Sequence, residues 1–205
     1  MKVLLINGSP HEKGCTYTAL SLIAGELKAQ GIETEILHVG GQPVGGCIGC
    51  GGCRSGNGCV FGGVVNEAIE KAKTADAFVF GSPVHYASAA GNMASFMDRL
   101  AYAGGKYLAY KPAAICCSAR RAGTTSTLDQ LVKYPQFFHM PLVNGSYWAM
   151  VHGSNPEQVL QDAEGCAVMQ ELGRNMAWLL RCIEAGKAAG IDHPQNPPRP
   201  MTNFI

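Results

Sequence analysis

The chain is poor in charge. Lys, Arg, Asp and Glu together make up 15% of its 205 residues, against about 25% in an ordinary soluble domain. The formal net charge is only +1, so there is no basic footprint for nucleic acid or for an anionic membrane. No apolar run approaches the ~18 residues of a membrane span, and the one after Met1-Lys2 is too short for a signal core. Two phosphate motifs are missing. Gly14 is followed by Cys15, not by the Lys that a nucleoside triphosphatase loop requires, and the Gly-x-Gly-x-x-Gly of dinucleotide folds does not occur. No Ser-His-Asp set and no paired carboxylates stand out. The short apolar start and the lack of a membrane span predict a cytoplasmic protein. The scarcity of charge also implies extra buried surface, as in a homodimer or homotetramer.

What is present begins with Val3-Leu4-Leu5-Ile6, a short run of branched residues that reads as a strand buried on both faces. From Thr16 to Gln30, Leu20, Ile23, Ala24 and Leu27 recur at helical spacing. The loop between them, Gly8 to Thr16, is small and hydroxylated. Such a loop lets amides and hydroxyls converge on an anion at a helix N-terminus, which the helix dipole also favours. The pocket expected there is neutral and sized for one phosphomonoester.

Further strands are predicted at Glu33–His38, Ala77–Phe80, Ala113–Cys117 and Pro141–Tyr147. Helices are predicted at Val64–Ala75, Ala90–Leu100 and Thr124–Phe138, and one long helix from a capping box at Ser154–Glu157 to about Lys187. Strands alternating with helices give an α/β sandwich of three layers, with a five-stranded parallel sheet in the order 2-1-3-4-5. Residues 1–190 form this domain, with a Cys-rich insertion at 40–63 and a Pro-rich extended tail at 191–205. Ligands bind at the carboxyl ends of such strands, where the order reverses. That places three loops together: Ser9–Thr18, Ser82–Ser88 and Ser118–Thr124. A phosphate cradle, a Pro-fixed backbone with two flat side chains, and a small basic loop suit a flat polar ring carrying one phosphate. FMN is the leading candidate.

Three motifs in sequence, Ile6-Asn-Gly-Ser-Pro10 with Thr16, Gly81-Ser-Pro-Val-His-Tyr86, and Asn92-Met93 with Phe96, Asp98 and Arg99, resemble the NAD(P)H-dependent FMN reductase family of the flavodoxin-like fold. The likeness covers nearly the whole chain. It implies an FMN phosphate held by Ser9, Thr16 and Thr18 and by the backbone amide of Cys15, with His11 standing where many members have Arg. It implies isoalloxazine contacts from Pro83, Val84, His85 and Tyr86 and from the loop containing Ser118, Arg120, Arg121, Gly123 and Thr124. Arg120 and Arg121 would receive a phosphate of NADPH or the flavin carbonyl edge, or form a solvated pair. Asp98-Arg99 reads as a local ion pair or helix end. The activity implied is transfer of electrons from NAD(P)H through flavin-centred chemistry to a flavin, a quinone or a nitro or azo compound. The alternative is an electron carrier working with ferredoxin.

Nine cysteines in a chain of this size point to reduced thiols or metal ligands rather than disulfides. Cys47, Cys50, Cys53 and Cys59 have the spacing C-x2-C-x2-C-x5-C on a glycine-rich loop. Three fates are open: a [4Fe-4S] cluster, zinc, or free thiols with a reversible disulfide. The spacing also resembles the compact motif of iron-sulfur flavoproteins, which carry such a cluster near FMN. Cys116 and Cys117 lie within a predicted strand and are expected in the core.

Overall fold

In the computed structural model the described residues are 1–198 and 200–203. Strands β1 (Lys2–Asn7), β2 (Glu33–His38), β3 (Ala77–His85), β5 (Ala113–Ala119) and β6 (Met150–His152) form a sheet in the order β2-β1-β3-β5-β6, all parallel along this path. A sixth strand, β4 (Ser88–Ala89), pairs antiparallel with the end of β3. The order reverses beside β1, so β1 and β3 leave a crevice beyond their carboxyl ends.

Alternation along the strands builds the layers. Leu4, Ile6, Phe78, Phe80 and Ile115 face a core shared with α2 (Val64–Thr74), α3 (Gly91–Gly104) and α4 (Thr124–Phe137). Val3, Leu5, Ala77, Val79 and Ala114 face the opposite core, shared with α1 (Cys15–Ala29) and α6 (Ala163–Ala188). Side chains at i and i+2 of a strand share a face, so strands with no polar residue in their middle are buried on both sides. Helix α6 approaches α1 closely at Gly173, where a Cβ would come within 2.8 Å of the Ile23 carbonyl oxygen.

Three expectations are corrected. The fifth parallel strand is not at Pro141–Tyr147: that segment makes a single bridge, Ala113 to Leu142, and the edge strand is Met150–His152. Gly145 and the exposed Tyr147 and Trp148 end the run before that bridge extends into a strand. The long C-terminal helix is two, α5 (Pro156–Gln161) and α6, separated at Asp162, whose carboxylate accepts from the Gly165 amide as the α6 cap. The cap of α5 is Asn155, which accepts from the Gln158 amide, while the Gln158 carboxamide accepts from the Ser154 amide. The N-cap is therefore Asn155, one residue later than Ser154, because Pro156 takes the first helical position. Finally, β3 runs five residues beyond Phe80, and this extension shapes the site.

Candidate flavin site

Three loops meet at the carboxyl end of the sheet. The first follows β1. Asn7 is fully buried; its carboxamide oxygen accepts from the Ser9 amide and its nitrogen donates to the Glu12 carbonyl. This side chain folds the loop back on itself. The Ser9 hydroxyl oxygen accepts from the His11 amide, which leaves its proton to be donated elsewhere. Gly40 packs on the same turn so closely that a Cβ would lie 2.2 Å from the Ser9 carbonyl oxygen. The loop ends at Gly14, which as N-cap has no side chain to offer; among the described residues no side-chain cap is formed on α1, and its first turn carries no acidic residue. Its leading amides are therefore presented to an anion with the helix dipole behind them.

Of the hydroxyls expected on a phosphate, Thr18 donates to the Gly14 carbonyl, and buried Thr16 shares a 2.8 Å hydrogen bond with the buried Ser118 hydroxyl. This second bond ties the first loop to the third across 102 positions of sequence. Cys15 lies at the first turn of α1. Burial pushes its thiol up from the ordinary range, and it donates to the Gly153 carbonyl at 3.5 Å. It ties the start of α1 to the residue that follows β6.

The second loop is a hairpin that the sequence does not announce. Strand β3 continues through Ser82, Pro83, Val84 and His85, then turns at Tyr86 and Ala87 into β4. Both turn residues are left-handed, at φ +49° and +59°. This is the primed two-residue turn that matches strand twist, built here without glycine or asparagine. Such strain persists where surroundings over-determine it, and here α4 does so. Gln130 accepts from the Ser88 hydroxyl and the Ala89 amide, and Ser126 donates to the Ala87 carbonyl at 2.6 Å. His85 and Tyr86 are exposed at its tip, while Pro83 and Val84 are half-buried.

The third loop, Ser118 to Thr124, joins β5 to α4. Ser118 and Thr124 are buried; Arg120 and Arg121 are exposed, and among the described residues neither side chain has a carboxylate partner. Gly123 adopts φ +93°, and a Cβ there would meet Ala87 Cα at 2.6 Å. The third loop and the hairpin therefore touch through a position only glycine fits. His152 was not anticipated from the sequence. Its ring hydrogen-bonds the Arg121 carbonyl and its amide donates to Asp162, which fixes the third loop to β6. A signal was available: a strand ending in His-Gly just before a helix cap. Two clefts of about 470 and 730 Å³ lie elsewhere, and neither includes a residue of these three loops.

The cysteine loop leaves from the same end. After Gly40, Asn92 of α3 donates to the Gly40 and Gln42 carbonyls and accepts from the Val44 amide. Cys47 and Cys50 are exposed, and Cys53 and Cys59 half-buried. Glycines at 49, 51, 56, 58, 62 and 63 all take positive φ, which folds the loop tightly. Asn66 of α2 bonds the Cys59 amide and carbonyl. Among the described residues, no three Cys, His, Asp or Glu side chains stand together as a metal-binding set. The donor chemistry nonetheless fits a four-thiolate centre. Four thiols lie on one glycine-rich loop, and a buried guanidinium, Arg99, points its Nε at Cys59 Sγ from 3.2 Å. Metal sites commonly assemble only as the metal binds. Asp98 and Arg99 are not a pair: the Asp98 carboxylate accepts from the Tyr134 hydroxyl at 2.6 Å, and Arg99 turns to the loop. Cys116 and Cys117 are core residues as expected, the Cys117 thiol pushed up to about 12 by burial.

The model of the family described as NADPH-dependent FMN reductase matches residues 1–155. An iron-sulfur flavoprotein of Methanocaldococcus jannaschii is 27% identical over 192 residues, spanning 90% of this chain and 100% of that one. Among solved structures, RosB with a bound formyl derivative of riboflavin phosphate superposes with a TM-score of 0.71 at 14% identity, covering 100% of this chain and 96% of RosB. An archaeal flavodoxin does so with a TM-score of 0.60 at 14% identity, covering 88% and 99%. The fold is flavodoxin-like, and the chain belongs to the NADPH-dependent FMN reductase family.

Proposed function

We propose that this chain is an iron-sulfur flavoprotein: an FMN-dependent oxidoreductase that binds FMN across the three loops and a [4Fe-4S] cluster on Cys47, Cys50, Cys53 and Cys59. NAD(P)H is its electron donor, and a one-electron carrier of the ferredoxin type its acceptor. The observation that carries the reading is the meeting, at one end of the sheet, of an uncapped helix N-terminus free of acidic residues with a braced hairpin and a basic loop. The full-length likeness to a relative named as an iron-sulfur flavoprotein supports the cluster.

When bound, FMN supplies a hydride-accepting centre that also releases electrons singly, and the cluster supplies one-electron exchange. The chain's own residues do the rest. The α1 amides and the Ser9 hydroxyl would hold the phosphate by hydrogen bonds and the helix dipole, without a side-chain cation, and exposed His11 offers one further donor. The Asn7 side chain and the Thr16–Ser118 bond hold the cradle in shape before the ligand arrives. Pro83 and Val84, together with the backbone of the Ser118–Thr124 loop that touches Val84 at Gly123, would form one face for the flat ring. Arg120 and Arg121, unpaired at the rim, meet the anionic dinucleotide. The four cysteines ligate as thiolates.

Replacement of Cys50 by Ser tests the division of labour. In protein purified without oxygen, the variant is expected to lose its iron and to retain stoichiometric flavin. Loss of flavin together with iron would make the loop structural and overturn the two-site reading.

A further inference from the structure

Arg99 lies in the second half of α3, and the residue is only 6% exposed. A buried guanidinium ordinarily has a carboxylate beside it, since an unpaired buried charge is costly. Among the described residues no carboxylate lies within 4.0 Å of it, and the adjacent Asp98 is committed to Tyr134. Its donors go instead to the cysteine loop. Nη1 reaches the Gly45 carbonyl at 3.4 Å, Nη2 the Gly62 carbonyl at 3.0 Å, and Nε the Cys59 sulfur at 3.2 Å. The Phe61 ring lies over the guanidinium at 5.5 Å from its centroid.

These contacts are not scattered. Gly45 and Gly62 are the two roots of the loop, and all four cysteines lie between them. One planar fork therefore closes the loop at its base and turns its third donor to the last thiol. Joining the ends of a flexible segment in advance removes part of the entropy lost when it closes on a ligand. The same group supplies positive charge where four thiolates would gather.

We propose that Arg99 is the positioning residue of the cysteine loop, clamping its base and serving as counter-charge to the centre the four thiols hold. This rests on the reading that they hold an iron-sulfur cluster. Positive charge and an N–H donor beside a cluster sulfur favour its more reduced, more negative state, because potential follows net charge and hydrogen bonding to sulfur. The two roles separate by substitution. Arg99→Lys keeps the charge but has no planar fork to span Gly45 and Gly62. Arg99→Gln loses both.

The test uses full-length protein reconstituted without oxygen, with flavin content as the check on folding. Two quantities are measured: the midpoint potential of the cluster, and the rate of iron release to a chelator. Arg99→Gln is expected to disfavour cluster reduction at least tenfold, a drop of about 59 mV for one electron, and to release iron at least tenfold faster. Arg99→Lys is expected to keep the wild-type potential and still release iron faster. Wild-type potential and release rate in Arg99→Gln overturn the proposal while leaving the cluster reading intact. Should Arg99→Gln fail to bind flavin, Arg99→Lys decides, and an unchanged release rate overturns the clamp. A wild-type protein that takes up no iron overturns the cluster reading and this inference with it.

Discussion

Replacing Gly123 by Ala tests whether the hairpin and the β5–α4 loop act as one ligand face. The position is left-handed at φ +93°, which costs an alanine about 1–2 kcal/mol. The new Cβ would also lie 2.6 Å from Ala87 Cα and 2.9 Å from Val84 Cγ1. The first neighbour is backbone, in a turn already held left-handed, so it yields only by moving the hairpin. Moving it strains the bonds from Ser126 and Gln130, at a further cost of about 1–2 kcal/mol, on the scale of a lost hydrogen bond to a buried group. The total of about 2–4 kcal/mol lowers Tm by roughly 4–16 °C in a protein of this size. If half of that appears as displacement of the flavin face, FMN affinity falls about tenfold. Apoprotein melting and titration by quenching of flavin fluorescence measure both. Wild-type Tm would refute the packing argument. A lowered Tm with unchanged FMN affinity would remove these two loops from the flavin site.

Two other perturbations follow from specific bonds. Thr16→Val leaves the buried Ser118 hydroxyl without its 2.8 Å partner and is expected to cost about 1–3 kcal/mol in urea unfolding; adding Ser118→Ala should recover part of it, and strict additivity would contradict the coupling. Glu35 is held below the usual carboxylate range, first by its hydrogen bond to Lys2 and then by that to Lys71. A depressed folded-state value means stability that is present above the unfolded carboxylate range and lost as pH falls through the folded value. Glu35→Gln should therefore destabilise at neutral pH, by at most about 1 kcal/mol because solvent screens the pair. The difference from wild type should close in acid; a difference that widened there would contradict the sign.

The strand-and-helix frame was legible because its signals are local. Val3–Ile6 and Ala113–Cys117 are apolar runs with no interruption, and α1 and α3 carry clear apolar faces. The edge strand was misplaced because three residues, Met150–His152, carry almost no pattern, while Pro141–Tyr147 carries β-forming residues that make only the single Ala113–Leu142 bridge. Pairing there is decided by how the chain leaves α4, which is a tertiary matter. The β3–β4 hairpin escaped notice for a related reason. Its turn is Tyr86-Ala87, and only the bracing from Gln130 and Ser126 makes left-handed backbone tenable there. In the site, the three loops and the cysteine motif could be read from residue type and order. Their ties could not. The Thr16–Ser118 bond, the His152 contact to Arg121 and the turn of Arg99 away from Asp98 depend on which side chains meet across more than thirty positions of sequence.

The central claim is that one chain carries both a flavin and a four-thiolate iron centre. Iron, acid-labile sulfide and flavin should be quantified on one sample purified without oxygen, with its visible spectrum. The account predicts one FMN with about four irons and four sulfides per chain, the flavin bands standing on a broad cluster absorbance. Flavin without iron or sulfide after reconstitution would contradict the cluster half of the claim, and iron without flavin would contradict the assignment of the three loops.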